Sequence, residues 1–484
     1  MEPIFQLAIG LPPSGSRDLL RAVHRQLRAA ILDGRLQPGL RLPASRALAA
    51  TLGVSRNTVV AAYDLLLSEG YLLARPGAGT YVADTLARPR RAPAPGSAAA
   101  SGRPDSRLVP VRSPPMAREP VQHTAPARDD FRVGLPEAGV FPFDIWRRLS
   151  DRALRAIKHM PGDYADAQGQ PALREAIAHH VSFTRAVACT AADVVVTAGA
   201  QQAFNLLARI LVTPRRTVVA VEQLFYPPLG QAMTAAGANL VAVPVDGEGL
   251  CVDRMPPDVR VICVTPSHQF PLGTAMSPRR RAELLAFARE RHAVVIEDDY
   301  DSEFRFAGRP LDALQTLDRA GSVFYVGTFS KSLFPSLRLG FVVTPPWARA
   351  ALVQARELAD WHSPVLAQDA LAAFIAEGHL ARHLRKMRRV YGERRTVLLE
   401  ALSKHAAGRL EVIPSEAGLH LSTWLHGRIR AETVVQRAAD ADIALSSLGR
   451  YALAGARTDG LAFGYGLIDA GRIEGAVRRL AGLM

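Results

Sequence analysis

The chain has 484 residues, which is too long for one ordinary hydrophobic core and favours two or three domains. Apolar residues make up 48% of the chain and charged residues 21%, a composition typical of soluble globular proteins. Lys and Arg outnumber Asp and Glu by 59 to 45, and the surplus is uneven, because residues 1–128 hold 17 basic and 8 acidic side chains. A basic N-terminal quarter on a nearly balanced body suggests a polyanion-binding module joined to another domain.

The cysteines and apolar runs exclude several classes of protein. Cys189, Cys251 and Cys263 stand at scattered spacings that predict neither a disulfide framework nor a metal site, which fits a reducing cytoplasm. The N-terminus lacks a basic region followed by a long apolar run, and no segment is long enough to span a bilayer. We therefore expect a cytoplasmic protein without a metal site or membrane contact.

The N-terminal part of the chain predicts three helices. Apolar residues fall at helical spacing from Arg17 to Leu32, and Asp33-Gly34 ends that helix. A short second helix begins at Ser45 and closes at Gly53, and Ser55 then caps a third helix. Two helices joined by so tight a turn predict a helix-turn-helix, whose second helix places its first residues on DNA bases.

Two short strands with a glycine-rich tip follow the third helix. Tyr71-Leu72-Leu73 and Thr80-Tyr81-Val82 predict the strands, and Arg75-Pro76-Gly77-Ala78-Gly79 predicts the tip of a wing. The alternative is a small helical subdomain in which Arg56 and Asn57 are simply solvated, since helix-turn-helix patterns alone have many false matches.

The run LRAAILDGRLQPGLRLPASRALAATLGVSRNTVVAAYDLLLSEGYLLARPGAGTYV, residues 27–82, resembles the GntR-type winged helix almost throughout. The resemblance implies that residues 1–83 bind double-stranded DNA through the second helix, the start of the third helix and the wing. The implied contact residues are Arg46, Ser55, Arg56, Asn57, Thr58, Arg75, Gly77 and Gly79. Their chemistry agrees, because arginines suit phosphates and guanine edges and glycines let the wing backbone approach the minor groove.

Residues 84–128 have the composition of a flexible linker. They contain nine prolines, eight arginines and only three acidic residues, with repeated Ala, Ser and Gly. Such a segment buries too little apolar surface to order itself, so it predicts a partly extended tether. Its arginines could touch DNA phosphates, but a charged, solvated spacer is the simpler interpretation.

Residues 129–484 form the predicted body, in which helices alternate with short apolar strands. This alternation predicts βαβ units around a mainly parallel sheet, whose ligands bind at the carboxyl ends of the strands. We expect a large domain over about residues 160–350 and a small domain from the C-terminal part. The predicted strands are Val194–Thr197, Thr217–Val221, Asn239–Val243, Val261–Thr265, Ala293–Glu297 and Val323–Val326.

Polar groups follow three of these strands. Gly199-Ala200-Gln201 opens a helix, where backbone N–H groups suit a phosphate, and Tyr226 follows the next strand and could lie against a flat ring. The acidic run 298–303 follows a third strand, where a carboxylate could keep a pyridine nitrogen protonated. The alternative for this run is a solvated loop or a cation site. Its place one βα unit before Lys331 instead favours contact with a ring-shaped cofactor bound at that lysine.

The run VFYVGTFSKSLFPSLRLG, residues 323–340, places a lysine after a buried strand. An amine at the end of a core strand can lose its proton and form a Schiff base with an aldehyde cofactor. Thr328, Ser330 and Arg338 lie within a few residues of Lys331 and could hold a phosphate. The alternative, a surface lysine after a strand, is disfavoured by the acidic run upstream.

Together these residues resemble fold-type I aminotransferases, an α/β PLP-dependent transferase-like fold. The order of winged helix, linker and aminotransferase-like body resembles the MocR-type regulators of the GntR superfamily. The segments SHQFPLGT (267–274) and EDDYDSEFRF (297–306) look particularly like that group.

The resemblance implies pyridoxal 5′-phosphate (PLP) as the cofactor. It implies that Lys331 forms the internal aldimine, Asp298 pairs with the ring nitrogen and Tyr300 bonds the cofactor's O3′. We prefer Asp298 to Asp299 because the family motif places the aspartate two residues before the tyrosine. The remaining implied cofactor contacts are Tyr226 beside the ring and Thr328, Ser330, Arg338, Gly199, Ala200 and Gln201 at the phosphate.

The sequence departs from aminotransferases at two positions. Phe270 precedes Pro271-Leu272-Gly273 where they usually carry an asparagine, which removes one hydrogen bond to O3′. Ala462 stands where they usually carry an arginine that clamps the substrate carboxylate, with Arg457 the nearest alternative. The cofactor pocket is thus expected to be kept and the substrate pocket changed.

Three hypotheses follow for the whole chain. It could be a PLP-binding transcription regulator whose body senses an amino-acid-like effector or PLP itself, an active aminotransferase with a DNA-binding appendage, or a plain repressor whose body is only a dimerisation scaffold. The missing arginine disfavours the second hypothesis, and the retained cofactor residues disfavour the third. We expect a regulator that acts as a homodimer, with residual transaminase activity left open.

Overall fold

The computed structural model describes residues 19–75, 78–83, 127–159, 162–307, 311–453 and 459–484. The chain divides into two compact units, a small one that includes the N-terminal residues and a large one that includes most of the remainder. Residues 84–126 of the predicted linker lie outside the described residues. None of the described helices is long and apolar enough to cross a membrane.

The N-terminal unit is a winged helix, as predicted. Its elements are α1 Leu19–Leu32, α2 Ser45–Leu52, α3 Arg56–Ser68, β1 Leu72–Arg75 and β2 Gly79–Val82. Gly53 ends α2 in the left-handed conformation with φ of 64°, and the Ser55 side chain accepts a hydrogen bond from the Thr58 N–H at 3.1 Å to begin α3. These two end signals explain why α2 and α3 are joined by only three residues.

Apolar side chains hold the winged helix together. Val23, Leu27, Leu48, Val59 and Leu66 are almost completely buried and belong to one core cluster. The strands β1 and β2 pair antiparallel. The segment before α2 joins them through a bridge of residues 41 and 81, so the wing has a third backbone contact that the sequence analysis did not predict.

Beyond residue 127, helices alternate with strands. The helices are α4 Phe143–Ile157, α5 Pro171–Arg185, α6 Ala200–Leu211, α7 Pro227–Ala235, α8 Pro278–Arg291, α9 Arg349–Asp360, α10 Val365–Ala376, α11 His379–His405, α12 Ala431–Asp440 and α13 Ala470–Ala481. The strands are β3 Asp129–Asp130, β4 Val194–Thr197, β5 Val218–Glu222, β6 Asn239–Val243, β7 Val245–Asp246, β8 Gly249–Leu250, β9 Val259–Val264, β10 Val294–Asp299, β11 Val323–Thr328, β12 Gly340–Val343, β13 Leu410–Val412, β14 His420–Leu425, β15 Ile443–Ala444, β16 Ser446–Ser447 and β17 Gly460–Gly464.

Seven strands of the described chain form the main sheet, in the order β4-β12-β11-β10-β9-β5-β6. All neighbours from β11 to β6 are parallel, whereas β12 runs antiparallel to both β11 and β4. The sheet is therefore mainly parallel, as predicted, and β12 is an additional strand that the sequence analysis did not predict. Alternate residues of β11 pack on opposite faces, with Phe324 and Val326 in one core cluster and Tyr325 in another.

A smaller antiparallel sheet, β13-β14-β17-β16, lies in the C-terminal part. The first strand after the linker, β3, pairs with β15, and Asp129 forms ion pairs with Arg472 and Arg479. The start of the body is thus fastened to its C-terminal part. The Gly134 carbonyl lies close to Lys331, which follows the carboxyl end of β11.

Candidate functional site

Lys331 lies three residues beyond the end of β11. Its Nζ donates a hydrogen bond to the Gly134 carbonyl at 2.5 Å. Gly134 has φ of +79°, and a Cβ there would lie 2.9 Å from Nζ, so this close approach favours glycine. Burial lowers the pKa of the Lys331 ammonium, against the carboxylates of Asp301 and Asp298, which raise it. A buried amine of lowered pKa is suited to bond covalently with an aldehyde.

Asp298 lies on the neighbouring strand β10, opposite Val326 of β11. Its side chain is 5% exposed, and Oδ1 has no hydrogen-bond partner among the described residues. Burial raises the pKa of Asp298 to about 8, and Asp299 adds to this effect while Lys331 opposes it. A buried polar oxygen without a hydrogen-bond partner is uncommon in proteins, so this atom points to a missing partner group. A protonated pyridine nitrogen beside the ionised carboxylate is such a group.

Asp299 has different partners, because consecutive strand residues point to opposite faces of a sheet. Its Oδ2 accepts hydrogen bonds from Arg185 Nε at 2.7 Å and from the Tyr325 hydroxyl at 2.5 Å. Arg185 also donates to the Ser267 hydroxyl at 2.5 Å. The Asp299 carboxylate is therefore held inside the protein, and this supports Asp298 as the carboxylate available to a ligand.

The N-terminus of α6 and Arg338 together form a polar surface. Arg338 Nη2 donates to the Ala198 carbonyl at 2.6 Å, and a Cβ added to Gly199 would lie 2.9 Å from the same nitrogen. Ala200 is the first helical residue, so its N–H and that of Gln201 lack intrahelical acceptors. The Gln201 side chain itself donates to the Pro228 carbonyl at 3.1 Å. Guanidinium and helix N–H groups together suit a phosphate.

The predicted hydroxyls lie close to this surface. Gly340 pairs with Thr328 on one side and with Thr197 on the other, which brings the end of β11 near the turn at Gly199. Thr328 Oγ1 donates to Ser330 Oγ at 3.0 Å. The structure thus brings the predicted phosphate residues of β11 and α6 together, and the residues present fit PLP at both its ring nitrogen and its phosphate.

Tyr300 is joined to a buried imidazole and carboxylate. Its hydroxyl lies 2.8 Å from His268 Nδ1, and that nitrogen lies 3.0 Å from Asp301 Oδ1. His268 Nε2 lies 3.1 Å from the Ser415 hydroxyl. The sequence analysis did not assign a role to His268 or Asp301, although both lie in the two motifs that it quoted.

The two departures from aminotransferases lie in one apolar region. Phe270 contacts Tyr226 with ring centroids 5.8 Å apart and Tyr451 at 4.9 Å, both edge to face. Ala462 is fully buried in β17, opposite Ser422. Arg457, the alternative clamp residue, lies outside the described residues.

On the winged helix, the predicted DNA contacts Arg46, Ser55, Arg56 and Asn57 are exposed, and Thr58 is half-buried. The wing residues Arg75 and Gly79 are also exposed, with the Arg75 guanidinium 4.8 Å from the Tyr81 ring centroid. Gly77 lies outside the described residues. Arg41 lies beside the wing, because a Cβ on Gly79 would be 2.9 Å from its Nε. No pattern in the sequence distinguished Arg41 from a turn residue.

Comparison with known proteins agrees with both units. Residues 130–449 match the family "Aminotransferase class I and II", and residues 19–82 match "Bacterial regulatory proteins, gntR family". The crystal structure of Pyrococcus horikoshii kynurenine aminotransferase in complex with PMP superimposes with a TM-score of 0.69 at 26% identity, over 74% of this chain and 91% of that one. The predicted fold class and the PLP-dependent fold are therefore confirmed.

Two similar proteins carry both units. The probable rhizopine catabolism regulatory protein MocR of Rhizobium meliloti is 40% identical over 450 residues, which are 93% of this chain and 90% of that protein. The pyridoxine biosynthesis transcriptional regulator PdxR of Corynebacterium glutamicum is 31% identical over 96% of both chains. The chain therefore belongs to the MocR-type transcription regulators, in which a GntR-family winged helix precedes an aminotransferase class I and II domain.

Proposed function

We propose that this regulator binds PLP in its body and that the loaded body senses a small effector, or PLP itself, to change how the winged helix binds DNA in the cytoplasm. The observation that carries the proposal is Oδ1 of Asp298, which has no hydrogen-bond partner within the described part of the chain and is buried near Lys331 in a protein that also has a DNA-binding fold. The domain boundaries 1–83, 84–128 and 129–484 are part of this proposal.

When bound, PLP supplies an aldehyde that reacts with primary amines and a protonated ring that withdraws electrons. In the proposed site, Lys331 is the covalent attachment point. Asp298 holds the proton on the ring nitrogen, and the Tyr300 hydroxyl bonds O3′. Arg338, Thr328, Ser330 and the start of α6 hold the phosphate, and Tyr226 flanks the ring.

The residues expected to contact the effector favour binding of a ligand over its transamination. Orientation of an amino acid by its carboxylate contributes strongly to transamination, and a bidentate arginine is the usual means. The resemblance places Ala462, which is buried, at the corresponding position, with Arg457 the nearest alternative. The retained Lys331 and Asp298 keep an active aminotransferase with a DNA-binding appendage as the second candidate, and a transamination assay with amino-acid donors distinguishes the two.

Removal of the lysine amine tests the cofactor site. The purified protein should be yellow, with an absorbance band that borohydride abolishes. Lys331→Ala should lose the covalent link to PLP while effector-free DNA binding persists, because the substitution does not alter the winged helix. A reducible lysine adduct in the Lys331→Ala pocket would show that another lysine is the attachment point.

Regulation is tested by the DNA affinity of the full chain with and without PLP, measured at one salt concentration because phosphate contacts make affinity salt-dependent. We expect PLP or an effector to change affinity or DNA bending, since a ligand shifts an equilibrium only through its different affinities for two states. If DNA affinity and DNA bending are unchanged in all conditions, the result would instead favour a body that is only a scaffold or an enzyme.

A further inference from the structure

One face of the small antiparallel sheet points at the segment that follows β9. His420 and Ser422 are two residues apart in β14 and so share a face, and Ala462 lies directly opposite Ser422. His420 Nε2 and Ser422 Oγ both lie within hydrogen-bond distance of the Pro271 carbonyl, at 3.0 and 2.7 Å. This face is the one that would carry the carboxylate clamp if residue 462 were an arginine.

His420 presents an unused acceptor on this face. The Pro271 carbonyl can only accept, so His420 Nε2 must carry the hydrogen. Burial, with a smaller contribution from His268, lowers the pKa of His420 to about 3, so the ring is neutral near pH 7 and has one N–H. Nδ1 is therefore an acceptor. It has no hydrogen-bond partner among the described residues, and the side chain is 1% exposed.

The polar side chains of His268 and Asp301 lie beside the His420 ring. The ring centroids of His420 and His268 are 5.0 Å apart. One ring nitrogen from each of these histidines and one carboxylate oxygen of Asp301 lie within 4.8 Å of one another. The Asp301 carboxylate already accepts from the Leu419 N–H at 3.1 Å. Lys331 is close enough to lower the pKa of His420, but its Nζ is assigned to the cofactor.

The side chains that pack with Ala462 are mainly apolar. Ala462 belongs to a buried cluster with Phe270, Leu448 and Tyr451, and it is fully buried. A carboxylate placed here would lose its hydration and meet two acceptors, His420 Nδ1 and Asp301, without a compensating cation from residue 462. An amine or hydroxyl would instead supply the donor that His420 Nδ1 lacks.

We propose that the effector presents an N–H or O–H donor to His420 Nδ1 and has no carboxylate at that end, so that it is a small amine or polyol rather than an α-amino acid. The inference rests on the proposed function, in which the body receives a small effector. Such an effector differs from the amino-acid-like effector that the resemblance implies, because it lacks the α-carboxylate.

Three matched probes separate the possible chemistries in the PLP-loaded full chain: serinol, serine and glycerol. Serine replaces one CH2OH of serinol by a carboxylate, and glycerol replaces its amine by a hydroxyl. We expect saturable binding of serinol by calorimetry and weaker binding of serine. Binding of glycerol comparable to that of serinol would identify a polyol as the source of the donor. Much weaker glycerol binding would identify an amine if serinol affinity also falls in His420→Gln, because serinol held only by the PLP aldehyde would not depend on His420. Serine affinity equal to or above that of serinol, or no saturable serinol binding, would overturn the proposal.

Two substitutions separate the acceptor from the structural bond of the same ring. His420→Gln can still donate to Pro271 but offers no acceptor at the Nδ1 position, so serinol affinity should fall about tenfold, the effect of about one lost hydrogen bond. His420→Asn can place a carbonyl oxygen there and should recover part of that loss. Ser422→Ala removes the other donor to Pro271 and should change serinol affinity less than about twofold. Equal losses in His420→Gln and Ser422→Ala would show that support of Pro271 is what matters, and would overturn the proposal.

Measurements of PLP absorbance, Zn²⁺ binding and DNA affinity distinguish the remaining outcomes. The PLP absorbance band should be unchanged in all three variants, which shows that they fold and load. Stoichiometric Zn²⁺ binding abolished by His420→Gln would make Nδ1 a metal ligand and overturn the proposal. Serinol binding that depends on His420 but leaves DNA affinity unchanged would support this ligand class while refuting the proposed sensing function. DNA affinity that responds to PLP without any serinol binding would do the reverse.

Discussion

Asp298 and Asp299 are adjacent in β10, yet the protein uses them differently. Asp299 is held by Arg185 and Tyr325, whereas Asp298 Oδ1 has no partner among the described residues. Two carboxylates in one motif can therefore be separated by the partners that each already has.

We predict opposite costs for the two substitutions. Asp298→Asn should weaken PLP binding with little loss of thermal stability. Asp299→Asn should destabilise the body by about 3 kcal/mol or more, because it leaves the Arg185 guanidinium buried without its carboxylate. Thermal unfolding and PLP titration of both variants check this, and similar PLP affinities in the two would remove the basis for assigning Asp298.

The raised pKa of Asp298 predicts a pH dependence of the cofactor-free protein. The carboxyl stays protonated in the folded state up to about pH 8 but ionises near its ordinary value of 3.8 when unfolded. Its contribution to stability is therefore full at low pH and is lost as pH rises from about 4 to about 8, by at most about 6 kcal/mol. In Asp298→Asn this contribution to the slope should be absent, so the wild type should melt progressively lower relative to the variant as pH rises. Parallel melting curves across this range would contradict the assigned pKa.

At the scale of elements, the sequence was most informative where local signals decide the structure. The left-handed Gly53 and the cap at Ser55 set the ends of α2 and α3, and both signals are visible in the sequence. The strand β12 was missed because its four residues follow a polar turn and its place depends on pairing with β4 and β11.

Contacts between distant segments could not be predicted from one sequence. Arg185 and Asp299 are 114 residues apart, and the acceptor on His420 exists only because Pro271, 149 residues away, engages the other nitrogen. The cofactor residues were easier to propose because they follow successive strands of one sheet. The ligand-facing residues of the small sheet have no comparable local pattern.

The exposed start of α3 predicts how the winged helix reads DNA. Arg56→Ala should cost roughly 1–3 kcal/mol at the preferred site and relax base preference, as expected for a bidentate base contact. Arg35→Ala is a matched control, because Arg35 is exposed and paired with Asp33 outside the helix-turn-helix. Binding to sites with altered bases checks this, and a uniform loss across unrelated sequences would make Arg56 a phosphate contact.

At the scale of the whole molecule, the homodimer that we expect from the sequence would join two DNA-binding units through predicted linkers of about 45 residues. Tethered units have a high effective concentration for a second half-site without a fixed geometry.

We expect paired half-sites, direct or inverted, whose separation tolerates changes of about one helical turn better than changes of half a turn. Light scattering of the full chain measures the dimer, and affinity for operators of altered spacing measures the tolerance. A monomer that binds single half-sites with full affinity would contradict this prediction.

The hydrogen bond from Lys331 to Gly134 has a consequence for communication along the chain. Gly134 lies only a few residues after the linker in sequence, and the strand just before it, β3, is fastened by pairing with β15. When the Lys331 amine is bonded covalently to PLP, it can no longer donate the same hydrogen bond to the Gly134 carbonyl. Covalent attachment of PLP to Lys331 would therefore change the hydrogen bonding of a peptide at the very start of the body.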